Sequence, residues 1–241
     1  MNRLFIIILL IFSVNPANLF AQEDKTLVYL VPGQGADYRL YKNLELDSSF
    51  LIRNINHIIP EKGWSMRDYA ETLSQQIDTT RKFIIIGVSF GGMLATEMNE
   101  FLRPAKTIII SSAKSQDELP WHYTFQKKIP IYKIVPGSVS KLGAMVLQPL
   151  VEPASKQDKE TFRAMLKDKN PDYMKRTIAM IIEWDKENYN EDIIHIHGEK
   201  DHTLPVRNVK YNYLIEEGSH MIVLTKGEEI SELVNGILIN N

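Results

Sequence analysis

The sequence predicts an α/β fold: a mostly parallel sheet of about six strands flanked by helices, with a helical insertion before the last strands. Three observations carry this. Short β-branched runs such as Phe83-Ile84-Ile85-Ile86 and Thr107-Ile108-Ile109-Ile110 alternate with helix-length segments, the pattern of βαβ units in a parallel sheet. A tight turn, Gly87-Val88-Ser89-Phe90-Gly91-Gly92, joins one such run directly to a helical stretch. From Ser112 to Asn190 the strand rhythm stops, and at Asp192 it resumes.

Taken in order, the chain opens with Arg3 and an unbroken apolar run from Leu4 to Phe12, broken by Asn15 and Pro16. Leu19-Phe20-Ala21 before Gln22 resembles a cleavage site, although Leu19 is large for its place. The run is shorter than the roughly 20 apolar residues that span a bilayer, so residues 1–21 read as a cleaved signal peptide and the mature protein as exported, periplasmic or secreted. Thr26–Val31 is the first strand and runs into Pro32-Gly33-Gln34-Gly35, where small residues let the backbone approach a ligand. A dinucleotide fingerprint would need a glycine at Tyr38, so that reading fails. Tyr38 to Leu44 reads as a short helix, and Ile52 to Ile59, closed by Pro60, as a second strand.

Ser65 with Asp68 three residues on marks a helix start, and Met66, Tyr69, Leu73 and Ile77 recur on one face as core. Lys82–Ile86 is the strand before the serine turn, Met93–Leu102 the helix after it, ended by Pro104. Lys106–Ser111 is the next strand. Residues 112–190 carry Trp121, Tyr123, Phe125, Phe162 and Trp184 among helical patterns, with helices at Thr161–Lys167 and Tyr173–Trp184. So long a segment is not a plain loop. It reads as a helical cap over a core of residues 22–111 and 191–241. Asp192–His197 and Tyr211–Ile215 are the last strands, and Gly227–Ile239 a closing helix.

Composition narrows the function. The 241 residues hold 28 basic and 30 acidic side chains, a net charge of −2, and no basic block, which argues against nucleic-acid binding and against electrostatic membrane binding. Zero cysteines exclude disulfides, thiolate metal sites and a cysteine nucleophile.

A serine hydroxyl becomes a useful nucleophile when a base takes its proton and a carboxylate orients the base. In a parallel sheet such groups gather beyond the C-terminal strand ends. Ser89 follows one strand, Asp201 a later one and His220 the next, in the chain order Ser, Asp, His. His202 is the runner-up base and Asp117 the alternative acid. His195 and His197 share one side of a strand without an evident third metal ligand, so strand-end packing is the better reading; His57 and His122 read as surface or cap residues.

With Gly87-Val88-Ser89-Phe90-Gly91 as a nucleophile elbow, His197-Gly198-Glu199-Lys200-Asp201 as an acid turn and Gly218-Ser219-His220 as a histidine loop, the sequence resembles the α/β-hydrolase fold superfamily over nearly all of the mature chain. Pro32-Gly33-Gln34-Gly35 is similar to that family's His-Gly-x-Gly loop, with Pro32 in place of the histidine. The resemblance implies Ser89 as nucleophile, His220 as general base and Asp201 as its orienter. It also implies that the backbone N–H groups of Gln34 and Phe90 form an oxyanion hole, with Gly33, Gly35, Gly87 and Gly91 shaping loop and elbow. The family's leading hairpin is expected to be missing, since the mature chain is read as starting at the strand usually numbered third.

The expected activity is hydrolysis of a small-to-medium carboxylic ester or thioester through an acyl-enzyme. Alternatives are an amidase, lactonase or lipase variant, or a slow or non-catalytic small-molecule binder on the same fold. No cofactor and no metal are expected. The expected partner is a small-molecule substrate, with no nucleic acid and no stable membrane anchor after signal removal. The sequence carries no signal of oligomeric state.

Overall fold

The computed structural model describes residues 25–151 and 155–239. The signal peptide expected at residues 1–21 lies outside them. Six strands form one sheet in the order β2-β1-β3-β4-β5-β6, and every neighbouring pair is parallel. The strands are β1 (Thr26–Val31), β2 (Phe50–Asn54), β3 (Phe83–Val88), β4 (Lys106–Ile110), β5 (Ile194–Gly198) and β6 (Tyr213–Ile215). Because the strands are parallel, the loops after β1, β3, β4, β5 and β6 all open on one edge of the sheet.

Side-chain alternation along the central strands divides the core into two layers. Leu27, Tyr29, Val31 and Ile85 face α1 (Met66–Ser74) and α2 (Phe90–Leu102); Val28, Leu30, Ile84 and Ile86 face α8 (Gly227–Ile239). Buried on both sides, β3 and β4 need continuous isoleucine, and each such side chain contributes about 1.5–3 kcal/mol relative to exposure. The N-terminus of α1 has the capping box expected from its sequence: Ser65 Oγ accepts from the Asp68 amide and Asp68 from the Ser65 amide. The left-handed Arg103 (φ 53°) ends α2 just before Pro104.

Between β4 and β5 lie α3 (Trp121–Lys128), α4 (Gly137–Val151), α5 (Lys156–Asp168) and α6 (Pro171–Glu183). Leu166, Met174, Met180, Ile181 and Trp184 join the α1/α2 core layer, while Met165 joins the α8 layer, so this segment packs mainly on the α1/α2 side and reaches the other. A polar tie reinforces it. Trp184 Nε1 donates 2.7 Å to Glu97 Oε1 on α2, and the buried Lys186 ammonium pairs with Glu97 and Glu100. Beyond β6, the four-residue α7 (Ile222–Thr225) leads into α8. That last helix is fastened to the turn after β1 by Ser231 Oγ, which accepts from the Glu45 amide, and by Asn235, which bonds Asp47 N and Glu45 O.

Several boundaries differ from expectation. The second strand is Phe50–Asn54, not Ile52–Ile59. β1 ends at Val31, so after the Ile55 amide bonds Leu30 O no partner strand remains, and Ile58 and Ile59 are exposed. The last strand begins at Tyr213, because β5 pairs with it only from Ile196 onward. Helix α2 starts three residues early, at Phe90, and α5 and α6 extend to Lys156 and Pro171 at their N-termini. The helix expected over Tyr38–Leu44 is a four-residue 3-10 turn, Tyr38–Tyr41.

Candidate active site

Ser89 sits where β3 turns into α2, and the turn holds it at φ 53°, ψ −123°. A non-glycine residue there carries strain, which persists where the surroundings over-determine it. They do so here. The Ser89 amide donates 2.9 Å to Ile110 O, and the Ser89 carbonyl accepts from the amides of Gly92 and Met93 and from Ser112 Oγ at 2.7 Å. Strand and helix also meet too closely for side chains: a Cβ on Gly87 would strike Gly91, and one on Gly91 would strike the Val31 carbonyl.

The three polar side chains picked from the sequence converge. Ser89 Oγ lies 2.8 Å from His220 Nε2, and His220 Nδ1 lies 2.7 Å from Asp201 Oδ2. The carboxylate fixes the tautomer: Nδ1–H donates to Asp201, which leaves Nε2 to accept from the serine hydroxyl. The other carboxylate oxygen, Oδ1, accepts 2.8 Å bonds from the amides of Thr203 and Leu204. Burial alone would raise the Asp201 carboxyl; the facing His220, its hydrogen bond and His197 outweigh that and hold it below the usual carboxylate range. The acid and histidine loops are themselves joined, with Lys200 N donating 2.7 Å to Gly218 O.

The loop after β1 lies against the serine. A Cβ on Gly33 would come within 3.3 Å of Ser89 Cβ. Gly35 takes a positive φ of 76°, and a side chain there would also strike Leu166. The Gln34 side chain reaches to α6, where Nε2 donates 2.8 Å to Thr177 Oγ1. Phe90 is the first residue of α2, so its amide and that of Gly91 precede the first intrahelical bond, made by Gly92 N to Ser89 O. Main-chain donors at a helix N-terminus suit developing negative charge.

The remaining candidates stand apart. Asp117 and His202 are exposed and neither bonds His220 among the described contacts. His122 is an exposed residue of α3 at the cavity rim. His195 and His197 are fully buried beneath the acid loop. Their outer nitrogens face the carbonyls of Lys210 (2.9 Å) and Leu204 (2.8 Å), and burial pushes both below the usual histidine range.

His57 is not a surface or cap residue. Its ring packs between Tyr69, Phe90 and Tyr173, and Nε2 lies 2.8 Å from Pro32 O at the start of the glycine loop. Burial pulls its pKa down to about 4 against that bond. His57 thus braces the loop whose own first residue is proline. Its place just past β2, on the functional edge of the sheet, was a usable signal. Nothing in the sequence marks Thr177 or Ser112 as partners of the site.

Ser89, His220 and Gln34 open into a cavity of about 420 Å³. Its walls are apolar and come mainly from the helices between β4 and β5: Phe162, Leu166, Met174 and Ile181, with Met93 and Leu204 from the sheet side. Thr203 also lines it, and its Oγ1 is buried with no hydrogen-bond partner among the described residues. A larger concavity of about 800 Å³ lies elsewhere, between the Lys42–Asp47 turn and α8, and holds none of these groups.

No protein-family profile matches the chain, and no curated protein sequence matches it. Solved structures do. A thermophilic esterase from Thermogutta terrifontis is 17% identical with a TM-score of 0.66, over 90% of each chain. An esterase from Exiguobacterium antarcticum is 14% identical with a TM-score of 0.66, over 89% of this chain and 92% of its own. A hydrolase from Pseudomonas aeruginosa is 15% identical with a TM-score of 0.63, over 90% and 91%. At such identities the likeness is one of fold.

Proposed function

On the α/β-hydrolase fold that this chain adopts, we propose a serine hydrolase that cleaves a small-to-medium carboxylic ester or thioester through an acyl-enzyme on Ser89. The observation that carries the reading is the unbroken relay from Ser89 Oγ through His220 to Asp201 at the floor of an apolar cavity. Several structural neighbours are esterases, which supports ester hydrolysis as the reaction class.

In this mechanism Ser89 Oγ attacks the substrate carbonyl carbon while His220 Nε2 takes the hydroxyl proton. The imidazolium is held by the Asp201 carboxylate. The carbonyl oxygen becomes an oxyanion, bound by the backbone N–H groups of Phe90 and Gln34, each such donor being worth about 2.7–4 kcal/mol of barrier. Collapse of the tetrahedral intermediate expels the alcohol or thiol, protonated by His220. Water, deprotonated by the same nitrogen, then attacks the acyl carbonyl, and a second collapse releases the acid and returns the proton to Ser89.

The same reading divides the chain into a core of residues 22–111 and 191–241 and a cap of residues 112–190, and takes residues 1–21 as a cleaved export signal. The cavity walls set the acyl group: apolar side chains such as Phe162, Leu166, Met174 and Ile181 accept an uncharged chain.

The test is labelling by a fluorophosphonate and turnover of p-nitrophenyl esters from acetate to decanoate, in wild type and Ser89→Ala. Labelling and turnover that both vanish in Ser89→Ala are expected. A wild-type protein that is folded yet unlabelled overturns the reading.

A further inference from the structure

Whole-chain charge hides a local asymmetry. From Trp121 to Val151 there is no Asp or Glu, while Lys127, Lys128, Lys133 and Lys141 fall in the same stretch of a chain whose net charge is −2. The same stretch is the most apolar part of the described surface. Of the fifteen exposed large hydrophobic residues described, seven lie between positions 121 and 142: Trp121, Phe125, Ile129, Ile131, Ile134, Val139 and Leu142. Trp121 is 74% exposed and Ile134 81%. A monomer rarely presents such a cluster without using it.

The arrangement is amphipathic on both helices. On α3, Trp121 and Phe125 lie one turn apart with their rings in edge contact at 6.2 Å between centres, and Ile129 follows the helix directly. The adjoining stripe, His122 and Gln126, lines the cavity. On α4, Val139 and Leu142 lie one turn apart and exposed, while Ser140, Gly143 and Ala144 line the same cavity. No residue of α3 is buried. The helices that carry the exposed apolar residues therefore also wall the chamber that holds Ser89.

We propose that this face docks on an anionic lipid surface, with Trp121, Phe125 and Ile134 entering the headgroup boundary and Lys128 and Lys133 meeting anionic headgroups, while Lys127 and Lys141 donate to carbonyls of the protein itself. Charge complementarity selects this occupant. Lys128 and Lys133 are exposed, Lys175 of α6 sits against the Lys133 carbonyl, and the acid that the described ion pairs set against them is Glu183, bonded to Lys133. Interfacial helices combine such an apolar face with lysine, and tryptophan favours the same depth. Among the described residues no helix is long and apolar enough to cross a membrane, so the contact is peripheral. Docking assumes nothing about chemistry. That the substrate passes from the lipid phase into that chamber rests on the hydrolase reading.

The full chain is sedimented with sucrose-loaded vesicles of phosphatidylcholine with 30% phosphatidylglycerol, and with phosphatidylcholine alone, at low and high salt. Wild type and Ser89→Ala are expected to partition equally onto anionic vesicles and to be released by salt. Trp121→Ser with Phe125→Ser is expected to weaken partitioning about tenfold or more, and Lys128→Gln a few-fold on anionic vesicles only, with melting temperatures unchanged. Three results overturn the proposal: wild type left in the supernatant; a double variant that sediments like wild type, which assigns binding to the N-terminal apolar run; or a dimer that dissociates in the double variant without vesicle binding in either form. Ser89-dependent labelling is read separately, so loss of docking and loss of the hydrolase assignment are distinct outcomes.

Discussion

Replacing Thr177 by valine tests whether α6 holds the glycine loop in place. Valine keeps the shape of this fully buried side chain but cannot accept the 2.8 Å bond from Gln34 Nε2. A neutral hydrogen bond of this kind contributes about 1 kcal/mol. Full loss of an oxyanion donor costs about 2.7–4 kcal/mol of barrier, which sets the upper bound. The glycines, the Gly33–Ser89 contact and the His57 brace all remain, so the loop loosens rather than leaves. The expected loss is therefore about 1 kcal/mol, or about fivefold in kcat, with KM unchanged, because the interaction lost acts in the transition state. Thr177→Ser restores the acceptor and should recover most of the rate. Steady-state kinetics on the best p-nitrophenyl ester reads both. A wild-type kcat in Thr177→Val would refute the positioning argument. A change confined to KM would do so too, by making Gln34 a substrate contact.

Two further outcomes follow from the site. Asp201→Asn keeps the shape of the acid but favours the wrong His220 tautomer, so kcat should fall about 10⁴-fold with the fold intact by circular dichroism; a loss below tenfold would transfer the orienting role elsewhere. His57, with a folded pKa of about 4, binds fewer protons than the unfolded chain between about pH 4 and its ordinary value near 6.5. Its stabilisation is present above that window and is lost as pH falls through it, so the urea midpoint should decline from pH 6.5 to 4 more steeply in wild type than in His57→Gln; equal slopes would remove His57 from the account.

The sheet was legible because its chemistry is local. Isoleucine runs buried on both faces write parallel strands directly into the sequence, and a capping box or a proline marks helix ends. Ser89, Asp201 and His220 were legible because each follows such a strand, and parallel order brings the strand ends to one edge. The limits of β2 were not, because Ile58 and Ile59 have strand composition and only the length of β1 denies them a partner. Thr177 and Ser112 were invisible for a related reason. Their partners lie 143 and 23 residues away, and a threonine that accepts from a distant glutamine has the same local sequence as one that does not. The lysine and apolar excess between positions 121 and 151 was present in the sequence but vanished in the whole-chain average.

The fastening of α8 to the turn after β1 has a consequence for how the protein is made. The bonds from Ser231 and Asn235 to residues 45–47 join segments 186–190 positions apart, and Ser89 waits 131 residues for His220. During synthesis the elbow emerges early, but β6, the histidine loop and the clasping helix emerge late. On the proposed mechanism, a chain ended before β6 therefore carries the serine without its base. On that mechanism, reactivity waits for β6 and the histidine loop to fold, after the segments that wall the cavity have emerged.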